Sequence, residues 1–239
     1  MKVNSFSVQL NEGLYDPGIF KAFFLAGGPG SGKSFVTSSA FAGTGLKLVN
    51  SDVKFERDLK KANLSLKMPD EEAYFRDLIR KSAKRFVITQ LDNYIKGRLG
   101  LVIDSTGRDY DMIARQHNTL KNLGYDCYMI FVNTSLEVAL QRNARRERSI
   151  PEYITTNSWN GVQSNMGKFQ RLFGMSNFLV VDNNKSDLEL TTLTMNRVSK
   201  EVRKYMKAPI QSYIAKRWMA SERKAKRRWQ SGHKNIRSQ

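Results

Sequence analysis

Short apolar runs alternate along this chain with longer segments whose apolar residues return every three to four positions. The runs are Ala22-Phe23-Phe24-Leu25-Ala26, Leu46-Lys47-Leu48-Val49-Asn50, Leu99 to Asp104, Cys127 to Val132 and Phe178 to Asp182. Their length and near-continuous hydrophobicity predict strands buried on both faces, as in a parallel sheet. Helices are predicted for Phe35 to Phe41, for Asp109 to Leu123 closed by Gly124, for Leu136 to about Arg145, for Ile150 to Phe173 with interruptions, and from Leu188 onward. Between the second and third strands, residues 53 to 98 are strongly helical, with Pro69-Asp70-Glu71-Glu72 as a first turn and Phe75, Leu78/Ile79, Ala83, Phe86/Val87, Leu91 and Tyr94/Ile95 in phase. That long helix is expected to pack on the sheet and shape the second-substrate side. The alternation predicts an α/β fold: a parallel five-stranded sheet covered by helices on both faces, with ligands at the carboxyl ends of its strands.

Directly after the first strand comes Gly27-Gly28-Pro29-Gly30-Ser31-Gly32-Lys33-Ser34, which fits G-x-x-x-x-G-K-[ST] at every fixed position. Strand, glycine-rich turn and helix are the context that this phosphate loop requires. Backbone N–H groups from Gly28 to Phe35 would curl around phosphate oxygens, and the following helix would point its positive end at them. Gly28, Gly30, Ser31, Gly32, Lys33, Ser34 and Phe35 are therefore the candidate nucleotide-binding residues. Lys33 would reach the β- and γ-phosphates, and Ser34 would hold Mg²⁺.

Three further positions fall at strand ends. Asp52 lies 19 residues after Lys33, where a carboxylate can face an acceptor hydroxyl beside the γ-phosphate. It also suits a helix N-cap. Asp104 ends the third strand, the natural place for a carboxylate near magnesium or its waters. Beyond the fourth strand, Arg142 and Arg146 are four apart in a burst that includes Arg145 and Arg148, followed by Ile150-Pro151. If the helix persists, Arg142 and Arg146 share a face and would clamp the triphosphate, within a hinged lid at about 142–151. Thr106 and Arg108, just past Asp104, and Arg57, near Asp52, are candidate acceptor contacts. Asn183 and Asn184 are candidate adenine neighbours.

Composition sets limits and adds a partner. The 239 residues carry one cysteine, Cys127, and two histidines, which excludes an intrachain disulfide and Cys- or His-cluster metal sites. No apolar stretch approaches a membrane span and the amino terminus lacks a signal peptide's apolar core, so a soluble, reducing, cytoplasmic location is expected. Net charge is +18, of which +12 lies in residues 197–239, with 14 basic and 2 acidic side chains. The chain therefore divides into a domain at 1–196 and a basic helical tail at 197–239. In the tail, Ile210, Tyr213, Ile214 and Trp218 are spaced to pack on the domain, and Arg223 to Trp229 suits a polyanion, with nucleic acid favoured over a membrane surface.

The loop Gly27 to Ser34, Asn50-Ser51-Asp52, the strand ending at Asp104, and Gln141-Arg142-Asn143-Ala144-Arg145-Arg146 with Ile150-Pro151 together resemble phage polynucleotide kinase and the zeta-toxin-like small-molecule kinases, over about residues 20 to 185. The resemblance implies a P-loop kinase using ATP and Mg²⁺, with Asp52 as general base and Arg142 and Arg146 as lid residues on the donor phosphates. It also implies the cytoplasm, that of the host if the gene is phage-borne. Polynucleotide kinase has an arginine three residues after its base, whereas here that place is Phe55. The acceptor expected is a hydroxyl of a nucleic acid or nucleotide derivative, with a nucleotide sugar as the alternative. A nucleic-acid-binding NTPase without acceptor is another class. So is a GTPase, assembled from Asp104-Ser105-Thr106-Gly107 and Asn184-Lys185-Ser186-Asp187.

Overall fold

The computed structural model describes residues 13–184 and 188–237. Five strands, β1 (Lys21–Ala26), β2 (Lys47–Val49), β3 (Leu101–Asp104), β4 (Asp126–Asn133) and β5 (Phe178–Asp182), form one sheet in the order β2-β3-β1-β4-β5. Every pairing is parallel. β1 is central and buried along its whole length, as its unbroken apolar run dictates. Its side chains alternate between faces. Phe24 joins Ile103, Met129 and Phe169 on one side, whereas Phe23 and Leu25 join Val36, Ile130 and Val198 on the other.

The layers are supplied by the helices α1 (Lys33–Ala40), α2 (Ser51–Lys61), α3 (Ala73–Lys96), α4 (Tyr110–Asn122), α5 (Leu136–Ala144), α6 (Glu152–Phe173), α7 (Leu188–Lys207) and α8 (Tyr213–Arg237). α6 is uninterrupted, contrary to its sequence pattern. The helical segment from 53 to 98 is two helices: α2 ends in a turn at Ala62 and Asn63, and the chain resumes through a 3-10 turn at Asp70–Glu72, where Pro69-Asp70-Glu71-Glu72 reads as a first turn in the sequence. Only the second half of α3 packs on the sheet, through Val87, Leu91, Tyr94 and Ile95. Its first half faces α2 instead, around a separate small core of Phe55, Leu59 and Ala83. That leaves Phe75, Leu78 and Phe86 exposed.

The boundary at 196/197 falls inside α7, where Met195, Val198 and Val202 are all buried in the core. Ala215 is also buried, and Ile210 and Trp218 pack against the main cluster, whereas Tyr213 and Ile214 are exposed. The first part of the basic segment is thus built into the domain. Its root lies at the amino ends of the strands. Trp218 meets Phe20 edge-on at 5.5 Å, and the buried Lys21 Nζ donates to the carbonyl of Ala208. No helix among the described residues is long and apolar enough to cross a membrane.

Candidate active site

At the other pole, the carboxyl ends of β1, β2 and β3 open into a cleft of about 520 Å³. Its floor is the loop between β1 and α1. Gly30 and Gly32 have φ of 77° and 90°, in the region that favours glycine. A Cβ on Gly30 would strike the Ala139 carbonyl, and one on Gly32 would strike the Asn183 amide. α1 has Gly32 at its N-cap, with no side-chain cap and no acidic residue in its first turn, so its N–H groups and dipole are left for an anion.

The loop is tied to β5 by Asn183, whose Nδ2 donates to the Ser31 carbonyl at 2.7 Å. Arg142 Nη1 donates to the Asn183 carbonyl at 2.7 Å. Asn183 is thus a brace rather than an open base contact, and Asn184 accepts from Ser135 N through Oδ1. Ser31 itself is buried and is not one of the residues that line the cleft.

The strand ends then bring three carboxylates and a lysine to the loop. Asn50 is the N-cap of α2: its Oδ1 accepts from Asp52 N at 2.7 Å. Asp52 is therefore not the cap, and its carboxylate projects into the cleft. The same Asn50 donates through Nδ2 to Asp104 Oδ2 at 2.7 Å. Asp104 Oδ1 is buried with no hydrogen-bond partner. Glu56, one turn after Asp52, lines the mouth. Lys33 Nζ donates to the Gly27 carbonyl.

Burial pushes the Lys33 ammonium below its ordinary value, against the pull of Asp104 and Asp52 and with help from Arg146 and Arg148. Burial likewise pushes the Asp104 carboxyl up, opposed by Lys33 and reinforced by Asp52. Burial would raise Asp52 as well, but the charge of Arg148 and the hydrogen bond and charge of Arg80 hold it below the usual carboxylate range.

Two cations meet on Asp52 Oδ1: Arg80 Nη1 at 2.7 Å and Arg148 Nη1 at 3.4 Å. Arg80 arrives from α3 with its guanidinium 3.6 Å from the centroid of the Phe55 ring. Arg148 also stands 3.7 Å from Glu56. It belongs to the loop between α5 and α6, closed at its base by Asn143, whose Nδ2 donates to the Ile150 carbonyl at 2.7 Å and whose Oδ1 accepts from Ile150 N. α5 ends at Ala144, so Arg142 and Arg146 do not share a helical face. Arg146 turns back through its backbone N–H to the Asn143 carbonyl, and both arginines line the cleft, Arg142 from α5 and Arg146 from the loop beyond it.

Of the residues singled out from sequence, Gly28, Gly30, Gly32, Lys33, Ser34, Phe35, Asp52, Asp104, Thr106, Arg142 and Arg146 line one cleft. Arg57 does not: it lines an exposed groove on the outer side of α2. Arg108 lies along Gly161 of α6 and is exposed outside the cleft. Arg80, Asn50 and Glu56 were not singled out by sequence, and Arg148 was only a member of the arginine burst.

The sequence model of the family described as "Zeta toxin" matches residues 17–190. The chain belongs to the zeta-toxin family. Its fold is that of the family's P-loop kinases. One similar solved structure is from the PezAT chromosomal toxin-antitoxin system of Streptococcus pneumoniae, at 14% identity and a TM-score of 0.53, covering 87% of this chain and 98% of that one. Another is AvrRxo1-ORF1:-ORF2 with ATP, at 14% identity and a TM-score of 0.52, covering 82% of this chain and 70% of that one. A search of curated protein sequences found no match.

The sheet of this zeta-toxin-family chain also bears on the GTPase alternative. The strand paired with the outer side of β3 is parallel β2, and the chain between them is α2 and α3. Lys185, Ser186 and Asp187 of the second short pattern lie outside the described residues.

Proposed function

We propose that this protein transfers the γ-phosphate of ATP to a hydroxyl of a nucleotide derivative or nucleic acid, with Asp52 as general base. The observation that carries this reading is the position of Asp52. Released from capping by Asn50, it shares the cleft with Lys33, Asp104 and the phosphate loop, and is steered by arginines from two other elements.

Mg²⁺ suits these residues. It takes oxygen ligands, usually one or two carboxylates plus water and substrate phosphate, and Asp104 offers a buried oxygen with no hydrogen-bond partner. Asp104 and Ser34 would hold the ion, which when bound neutralises charge on the donor phosphates. ATP as donor agrees with the ATP in the AvrRxo1-ORF1:-ORF2 structure.

In the reaction the acceptor oxygen bonds to Pγ, the bond from Pγ to the β–γ bridging oxygen breaks, and ADP leaves. The acceptor's proton goes to Asp52. Both arginines use Oδ1, so Oδ2 remains for that proton. A carboxylate held at low pKa is a weak base, which suffices where bond breaking leads and proton transfer follows late. Lys33, Arg142 and Arg146 neutralise charge as it moves onto the leaving oxygen.

The basic helix α8 is rooted at the amino ends of the strands, about 20 Å from the cleft at strand rise. That root, at the pole opposite the cleft, favours a nucleotide derivative, nucleotide sugars included, over a long polynucleotide as acceptor. Nucleic acid at α8 is a separate reading, carried by the density of one-signed charge from Arg223 to Arg228. Incubation with γ-labelled ATP and DNA, RNA, nucleosides, nucleotides or nucleotide sugars tests the main reading. Label on an acceptor, lost in Lys33→Ala, supports it; stimulated hydrolysis without labelled product contradicts it.

A further inference from the structure

From Ala215 to Lys226, α8 turns one line of side chains toward the domain. Ala215 is buried, Trp218 and Met219 pack against the main cluster, and Glu222 and Lys226 are half-buried on the same side. The helix is pinned along that line. Trp218 meets Phe20 edge-on at 5.5 Å and receives the Arg98 guanidinium at 5.9 Å. Two turns further on, Lys226 Nζ stands 4.6 Å from the centroid of the Tyr15 ring.

The opposite side of the same helix is basic. Lys216, Arg223 and Arg227 form one row, and Arg217, Lys224 and Arg228 a second, about 100° round the helix from the first; all six are exposed. The one acidic residue in the sequence of α8, Glu222, is on the domain side. Arg223 and Arg227 are like charges four apart, as are Lys224 and Arg228, an arrangement that destabilises a helix on its own. A face serving only solubility mixes its signs. This one gains when a polyanion meets it, and its fixed seat on the domain leaves little to be ordered on binding.

The layout of the rows selects among nucleic acids. A helix about 10–12 Å across with its side chains fits a B-form major groove about 12 Å wide, and two rows about 100° apart then face its two phosphate walls. The rise from Lys216 to Arg228 is about 18 Å, or roughly five base pairs. The major groove of duplex RNA is too deep and narrow to admit such a helix. Single strands are held by stacking, yet Trp229 lies about 120° or more from both rows, on the side of Trp218 and Glu222.

We propose that α8 lies in the major groove of duplex DNA, with the row of Lys216 on one phosphate wall and the row of Arg217 on the other. Tyr213, exposed at the start of the basic side, adds a hydroxyl for a phosphate. The contacts are to the backbone, so binding is independent of sequence. This inference rests on the nucleic-acid reading of α8 and not on the kinase reading, since the cleft lies at the other pole and stays open on DNA.

The test is fluorescence anisotropy of the full chain with labelled duplex DNA, the same strand alone and the matching RNA duplex, over a range of NaCl. Wild type is expected to bind duplex DNA at least about 10-fold more tightly than the other two. Its plot of log affinity against log salt should have a slope of about −5, for six phosphates. The triple variant Lys216→Gln, Arg223→Gln, Arg227→Gln and the triple variant Arg217→Gln, Lys224→Gln, Arg228→Gln should each reduce the slope to about −3. Lys81→Gln, Lys84→Gln, Arg85→Gln removes as much charge from the exposed side of α3 and should leave duplex binding within about 2-fold, since those charges lie far from the groove. Methyl green, a major-groove ligand, should compete, and netropsin, a minor-groove ligand, should not. Equal or tighter binding of the single strand or the RNA duplex, competition by netropsin alone, or an equal loss in the α3 variant overturns the groove assignment and leaves the nucleic-acid reading standing. Absence of salt-dependent binding to all three sinks both.

Discussion

Asn50 Nδ2 lies 2.7 Å from Asp104 Oδ2, joining the ends of β2 and β3, while its Oδ1 caps α2 at Asp52 N. One side chain thus sets the start of the helix that carries Asp52 and orients the carboxylate whose other oxygen has no partner. Asn50→Asp keeps the cap acceptor but places a like charge against Asp104. We expect lower stability to denaturant without Mg²⁺, and a loss of activity that rising Mg²⁺ partly restores. Asn50→Ala should lose both roles, about 1 kcal/mol of stability for the cap and roughly 10-fold or more in Mg²⁺ affinity for the lost orienting bond. Urea unfolding and Mg²⁺ titration of the rate separate the two.

The loop brace gives a second prediction. Asn183→Ala removes the bond to the Ser31 carbonyl and leaves a buried acceptor unsatisfied, at a cost of about 1–3 kcal/mol. ATP affinity should fall by roughly 10-fold, as a less ordered loop must be organised by the ligand. Equilibrium binding of a fluorescent ATP analogue measures this, and an unchanged affinity would show that the loop holds its shape without β5.

Acid sensitivity follows from the arginines on Asp52. A carboxyl held below its ordinary value stays ionised to lower pH, so the acid limb of the rate in wild type lies below the usual carboxylate range. Arg80→Gln removes a charge and a hydrogen bond, burial is then less opposed, and the limb moves to higher pH. The stability contributed by the pair is present above the unfolded carboxylate value and is lost as pH falls through the folded one. A pH–rate profile of kcat/KM for the two proteins checks the direction.

Lys21 tests where the domain ends. Its Nζ is buried between Asp126 and the Ala208 carbonyl, so Lys21→Met strands a carboxylate and frees the chain after α7. Breaking such a pair costs about 3 kcal/mol. Deletion of 197–239 strips Val198, Val202, Ala215 and Trp218 from the core and should abolish cooperative unfolding. Deletion of 222–239 should preserve it and weaken only salt-dependent nucleic-acid binding.

Much of this was legible in the chain because it depends on local rules. Phe178–Asp182 is a strand in sequence and in structure, and the glycine loop declares its own backbone. The donor side of the cleft is contiguous with such motifs. The acceptor side is not. Arg80 reads as one more solvated charge on a helix, and it becomes a site residue only when Phe55, Leu59 and Ala83 bring α3 against α2. Arg57 misled for the opposite reason. Five residues on from Asp52 in a helix is a rotation of about 140°, which turns it to the outer groove, whereas Phe55 and Glu56 share the Asp52 face. The start of α3 is announced by Pro69, but the end of α2 is not, because no proline or glycine marks Ala62 and Asn63, where Asn63 takes a φ of 54°.

The most direct test of the central claim is single-turnover transfer from γ-labelled ATP by Asp52→Asn beside wild type, with ATP binding measured on both. Asparagine preserves the shape of the side chain, and its amide cannot take a proton. With ATP bound as tightly as in wild type, transfer to the acceptor should fall by about 100-fold or more, in the range of a lost general base. Transfer at the wild-type rate would contradict the assignment of Asp52.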